Sequence, residues 1–177
     1  MTGIYLDADH GQAIAQVAAN SYPRECCGLL VGRLGRGAIA AAEADPDCRQ
    51  VVEVIALENA WASSLLEYTD PQTAHAASHS ARDRYWIDPA DLLRVQQSAR
   101  ESGLAIVGIY HSHPDHPAVP SECDRALAWP VYSYVIISVI EGQAVDLKSW
   151  RLDDDDQFQP EPVKMIGSSI NKPLFLS

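Results

Sequence analysis

Residues 108–124 read GIYHSHPDHPAVPSECD. Three histidines, two aspartates and three prolines fall within these seventeen residues, where an apolar run ends. The run before them, LAIVG, is almost entirely apolar and predicts a central strand leading into the motif. On a strand, residues i and i+2 point the same way, so His111 and His113 share one face, roughly 6–7 Å apart at the backbone. Two imidazoles so placed can converge on one cation. Pro114 and Pro117 then force the chain out of the strand.

The third ligand is expected from Asp124. The stretch SECDRALAW can form a short helix capped by Ser121, and Asp124 lies one turn further on. Two histidines and one aspartate leave a position open for water, which is the catalytic rather than the structural zinc arrangement. Plainer readings stand beside this one. An H-x-H pair can be two half-exposed histidines bonded to a turn. Asp124 can be the N3 carboxylate of a capping box. Ser121 can be simply the cap, a role that does not exclude catalysis. His116 can be a fourth ligand, a rim residue that meets substrate, or a residue with no special role; the rim is favoured.

Upstream, PRECCGLLVG puts Glu25 directly before an apolar run that reads as a buried strand, with Gly28 allowing another backbone to come close. If a neighbouring strand brings Glu25 beside the metal, it can act as general base and then as acid. Otherwise it is a surface carboxylate. Ser121 is the candidate donor to a developing oxyanion, a contribution of about 3–4 kcal/mol in other systems.

Further out, residues 9–19 have the spacing of a short amphipathic helix stopped by Pro23. A second strand is expected near Ala38–Ala42, and another in VVEVIALEN. The 59–87 stretch resists assignment; part of it, together with the 114–120 loop, is expected to line a substrate cleft. DPADLLRVQQSARESG predicts a helix over 89–101, capped by Asp88, with Leu92, Val95 and Ala99 on one face. YSYVIISVI and AVDLKSWRL read as an antiparallel strand pair around Gly142–Gln143. The tail after Gln159 reads as an appendage or an edge element. His75 and His79, four apart, read as surface residues. Trp61 and Trp86 read as packing anchors, and Trp129 and Trp150 as core or half-buried. The sum is one sheet of about five to seven strands.

The net charge of −11 disfavours nucleic acid as a partner. No window is apolar enough to span a membrane, and no secretory leader is read at the start. The cysteines, Cys26, Cys27, Cys48 and Cys123, form neither a zinc-ribbon spacing nor a disulfide framework, so a reducing, cytoplasmic setting is expected. An exposed sheet edge could pair two copies.

PRECCGLLVG followed by HSHPDHPAVPSECD resembles the JAMM (MPN+, Mov34/MPN/PAD-1) metallopeptidase family, compact prokaryotic type. The pattern is a glutamate before a C-G-L strand, then H-S/T-H-P, then S-x-x-D seven residues after the proline. Glu25, His111, His113, Ser121 and Asp124 occupy those positions, and the likeness extends over about residues 5–152. It implies a single α/β domain of cytidine-deaminase-like MPN type, a curved mixed sheet flanked by helices. Residues 1–152 would form this domain, and 153–177 an acidic, proline-containing C-terminal extension. It also implies one Zn2+ per chain, held by His111, His113 and Asp124, with Glu25 as acid/base and Ser121 assisting the oxyanion. The implied reaction cuts the amide after the Gly-Gly tail of a ubiquitin-like or sulfur-carrier protein. The competing function is a catalytically silent MPN scaffold that binds a protein partner. A nucleobase deaminase lacks its H-x-E and P-C-x-x-C signature here, and VGRLGRG lacks the Lys-Ser/Thr of a phosphate loop.

Overall fold

The computed structural model describes residues 3–35, 47–61 and 81–166. The strand expected near Ala38–Ala42, and His75 and His79, lie outside the described residues.

The chain starts with a short strand, β1 (Ile4–Asp7), and Asp7 caps the helix that follows, α1 (Ala8–Ser21), accepting from the His10 amide at 2.8 Å. Next come β2 (Cys27–Leu34) and β3 (Arg49–Leu57), paired antiparallel. The helix α2 (Pro89–Glu101) has the expected bounds, with Asp88 as cap and Pro89 in the first turn. Gly103, at φ +67°, turns the chain out of it. Then follow β4 (Ala105–Pro114), α3 (Glu122–Leu127), β5 (Ser133–Ile140), β6 (Gln143–Leu152), β7 (Phe158–Glu161) and β8 (Val163–Ile166).

These make one eight-stranded sheet in the order β7-β6-β5-β4-β2-β3-β1-β8. The sequence suggests fewer strands because β1, β7 and β8 are each only four residues long. Part of the stretch read as a C-terminal extension supplies both outer strands. β7 pairs with β6 at one edge and β8 with β1 at the other, yet only Pro162 separates them. The sheet must therefore curve until its two edges nearly meet. A buried clamp spans that closure. Arg49 of β3 lies 3.6 Å from Glu161 of β7 and donates to the Val131 carbonyl at 3.1 Å, while Ser149 of β6 donates to Glu161 at 2.6 Å.

Helices cover both faces. Ile14 and Ala18 of α1 pack with Leu30, Val107, Tyr110, Val135 and Ile137. Val95 and Ala99 of α2 pack with Leu29, Val31 and Ile106, with Ile109 alongside. The strand β4 changes parity between these layers. Its pairing with β2 steps from Leu30↔Gly108 to Val31↔Ile106, leaving Val107 as an extra residue. This bulge puts Ile106 and Ile109 on the α2 face together, and Val107 and Tyr110 on the α1 face. Because side chains alternate, His111 and His113 then follow Ile109 onto the α2 face. One residue fewer would turn both histidines to the opposite face. Gly28 faces Tyr110 across this pair. A methyl group there would collide with the Ile55 carbonyl oxygen and the Tyr110 ring, which is why the position requires glycine.

Candidate metal centre

The H-x-H motif ends the central strand. β4 lies between β2, antiparallel, and β5, parallel, so its polar residues emerge inside the sheet rather than at an edge. His111 is fully buried and His113 is 7% exposed. Their Nε2 atoms are 3.0 Å apart. Asp124 reaches them from α3, with Oδ1 3.3 Å from His111 Nε2 and Oδ2 3.5 Å from His113 Nε2. The three side chains form a cluster whose ligand-type atoms all lie within 4.8 Å of one another.

The donor set suits a divalent cation. His113 Nδ1 is 3.0 Å from the Pro117 carbonyl oxygen, a contact only an N–H can satisfy. The proton is therefore on Nδ1, and Nε2 turns a lone pair toward His111 and Asp124. Burial lowers the His111 pKa below the ordinary imidazole value, against the pull of Asp124, which favours the neutral ring. Burial works against ionisation of Asp124, but its contacts with His111, His113 and Ser121 outweigh it and hold the carboxyl far below its usual range. Two neutral imidazoles and one carboxylate are the ligand states a zinc-type ion needs, and the residues fit.

Ser121 serves α3 as N-cap in a complete capping box. Its amide and its hydroxyl both donate to Asp124 Oδ2 at 2.6 Å, and Asp124 N–H donates back to its Oγ at 3.2 Å. The cap and the cluster, competing roles in the sequence, are thus both served: Oδ2 carries the cap and also faces His113, and Oδ1 faces His111.

Glu25 is 7% exposed. The β2–β4 register ends at Cys27↔His111, and the Ser112 amide bonds the Cys26 carbonyl at 3.1 Å. Continuing that register sets Glu25 opposite His113, on the same face. Burial, and then the negative charge of Asp124, push its pKa up to about 9. A surface carboxylate would not behave so. His116 is exposed and outside the cluster.

A model of prokaryotic homologs of the JAB domain, Prok-JAB, matches residues 7–153. The chain belongs to this family. Among its relatives, a desampylase of Haloferax volcanii is 32% identical over 122 residues, 68% of this chain and 67% of that one. A probable TtuB-protein conjugate cleaving protease of Thermus thermophilus is 34% identical over 134 residues, 71% of this chain and 68% of that one. The solution structure of a Desulfitobacterium hafniense protein matches with TM-score 0.68 and 28% identity, covering 93% of this chain and 94% of that one. A Salinibacter ruber protein matches with TM-score 0.59 and 27% identity over 99% and 97%.

A cavity of about 330 Å³ opens beside the Prok-JAB cluster, with Asp124 and Cys123 in its wall. Trp86, Leu92, Ile109, Leu127, Trp129 and Tyr132 supply most of its apolar lining. Arg84, Tyr85, Trp86 and Ile87, at the described end of the 59–87 stretch, are in its wall. Trp129 is 55% exposed, not core, because it stands at the mouth, stacked on Tyr132. Trp150 is half-buried and donates to the Ala118 carbonyl at 3.1 Å. Cys26, Cys27 and Cys48 are buried, Cys123 is half-buried, and none of the four is in a disulfide. No helix among the described residues is long and apolar enough to cross a membrane.

Sequence reasoning missed two neighbours of the site. Tyr85 stacks on His111 with ring centroids 4.4 Å apart. Ser112, between the two histidines, accepts the Cys26 amide at 2.8 Å and so ties the residue after Glu25 to the ligand strand. The signal for Ser112 was in the motif: a serine at the centre of a buried strand needs a partner.

Proposed function

We propose that this chain is a zinc-dependent JAMM-type peptidase or isopeptidase. It hydrolyses the amide bond after the Gly-Gly tail of a ubiquitin-like or sulfur-carrier protein. The observation that carries this reading is the convergence of His111, His113 and Asp124 on one point, with the buried, protonatable Glu25 across the strand pair from them. The named activities of the Haloferax and Thermus relatives support the substrate class.

His111, His113 and Asp124 would hold the zinc ion, and Glu25 and Ser121 would act on the reacting atoms. Zinc held there supplies Lewis acidity, which lowers the pKa of water and polarises a carbonyl. Glu25 takes the proton of the attacking water and delivers it to the leaving amine. Its raised pKa lets it keep that proton between the two steps, and a cation held by His111, His113 and Asp124 would oppose the shift and favour its action as a base. Ser121 Oγ–H, which donates to Asp124, turns to the carbonyl oxygen as negative charge develops there. A Gly-Gly tail has no side chains and can lie flat in a narrow approach, and the apolar cavity beside Asp124 takes a larger neighbouring group. Four cysteines without a disulfide among them fit a reducing, cytoplasmic setting.

The test is incubation of zinc-loaded protein with Gly-Gly-ended carrier proteins, each bearing a C-terminal amino acid or a lysine-linked conjugate, read by intact mass. Loss of the added group, abolished by Glu25→Gln with zinc retained, is the expected result. Full zinc occupancy with no turnover on any such carrier would leave the scaffold reading in its place.

A further inference from the structure

Asn59 follows β3 at the start of the stretch the sequence left unassigned, and its side chain is a four-way junction. Its Nδ2 donates to the Glu25 carbonyl at 3.0 Å and to the Arg84 carbonyl at 2.9 Å. Its Oδ1 accepts the Trp61 amide at 3.0 Å and the Trp86 amide at 3.1 Å. An asparagine amide has two N–H donors and an oxygen with two lone pairs, and every one is used. The partners also fix which way the amide faces. Reversed, it would set oxygen against two carbonyls and N–H against two N–H groups.

Of the four partners, Trp61 lies in the turn of Asn59 itself, and the other three belong to two structures. One is the loop that presents Glu25, whose amide donates to the Ala81 carbonyl at 2.8 Å. The other is the 84–86 segment, paired back to the chain by the Ala60 amide on the Trp86 carbonyl at 2.9 Å. That segment carries Tyr85, stacked on His111, and Trp86, in the cavity wall. Asn59 therefore bonds directly to the backbone of Glu25 and to both neighbours of the ring that packs on a ligand histidine. None of its four side-chain bonds goes to His111, His113 or Asp124.

We propose that Asn59 is a positioning residue for the reaction: it sets Glu25 and the Tyr85–Trp86 wall as one unit over an independently built ligand cluster. This rests on the functional reading above. A polar side chain that merely closed a turn would need one or two bonds. Three bonds to backbone groups of both structures, together with the Glu25 amide on the Ala81 carbonyl, set the distance between them. Small displacements of a base from its reacting proton are costly in rate, so the effect belongs in turnover rather than in metal binding.

The test compares full-length wild type with Asn59→Ala and with Asn59→Asp, which keeps the shape and the two accepted bonds but loses the donors. Rates are taken at 20 °C per zinc-loaded molecule, and zinc affinity by competition with a chromophoric chelator. Both variants are expected to lose at least tenfold in kcat, with zinc affinity within about threefold of wild type; Asn59→Ala, which also frees Trp86, should raise KM as well. A readout without substrate is alkylation of Cys26, next to Glu25 and 4% exposed in the native fold, in zinc-free protein. Its rate should rise at least tenfold in both variants. A variant with lower thermal midpoint but unchanged kcat, KM and Cys26 protection would overturn the proposal, as would loss of zinc affinity in step with kcat. If wild type cleaves no carrier, the functional reading fails by itself, and Cys26 exposure alone decides whether Asn59 holds the Glu25 loop.

Discussion

Replacing Ser112 by alanine removes one oxygen from the centre of the ligand strand. Ser112 is fully buried, and its Oγ accepts the Cys26 amide at 2.8 Å. The Cys26 N–H has no route to water once that acceptor is gone. An orphaned buried donor costs about 1–3 kcal/mol, more than the net value of the bond itself. For a chain of this length each kcal/mol moves the thermal midpoint by about 2–4 °C, so a loss of about 4–8 °C is expected for a mid-range cost. Ser138→Ala is the matched control. Its Oγ donates to the His116 carbonyl at 2.7 Å, but His116 is exposed and its carbonyl can turn to water, so the cost should stay near 1 kcal/mol. Thermal and urea denaturation of both metal-free variants gives the comparison. Ser112→Thr, which keeps the oxygen, should recover most of the loss. If Ser112→Ala loses no more than Ser138→Ala, the burial reasoning is wrong, and the tie between Glu25 and the ligand strand is not a strong one.

Three other outcomes follow from the same geometry. Glu25 has a folded pKa of about 9 against 4.5 for an ordinary glutamate, so its protonated form favours the metal-free fold; that contribution is complete below 4.5 and disappears as pH rises through 9. The thermal midpoint of metal-free protein should therefore fall between pH 5 and pH 9 more steeply than that of Glu25→Gln, and parallel curves would refute the assignment. Zinc at a hundredfold excess over its dissociation constant should stabilise wild type by about 2.7 kcal/mol, and the His111→Ala/His113→Ala double variant not at all, read by calorimetry with and without chelator. Burial pushes Cys26 up to about 11 and Cys27 up to about 12, so iodoacetamide at pH 8 should label the half-buried Cys123 first and reach the other three only in denaturant, followed by peptide mass.

How much of this was legible in the sequence depended on whether the signal was local. α2 was found to the residue because Asp88, Pro89 and Gly103 mark its ends through their own backbone preferences. The cluster was found because strand and helix periodicities place His111, His113 and Asp124 without knowledge of the rest. What stayed hidden is set by distant partners. The bulge at Val107, which aims both histidines, exists only against the register of β2, and nothing in LAIVG announces it. Asn59 looks like any polar residue ending a strand until four backbone groups from three segments arrive around it. Trp129 read as core or half-buried, yet it is exposed at a cavity mouth. The four-residue strands β7 and β8 have too little pattern to be distinguished from a loop.

The placement of those last two strands bears on how the protein is made. Pro162 hands the chain from one flank of the sheet to the opposite flank within a single residue. On the ribosome, β1 and β6 must both wait, bare-edged, until the same short peptide leaves the exit tunnel. A chain trimmed before residue 158 would leave β6, ten residues long, and β1 as the two edges of the sheet in place of β7 and β8, so one short peptide covers both flanks at once.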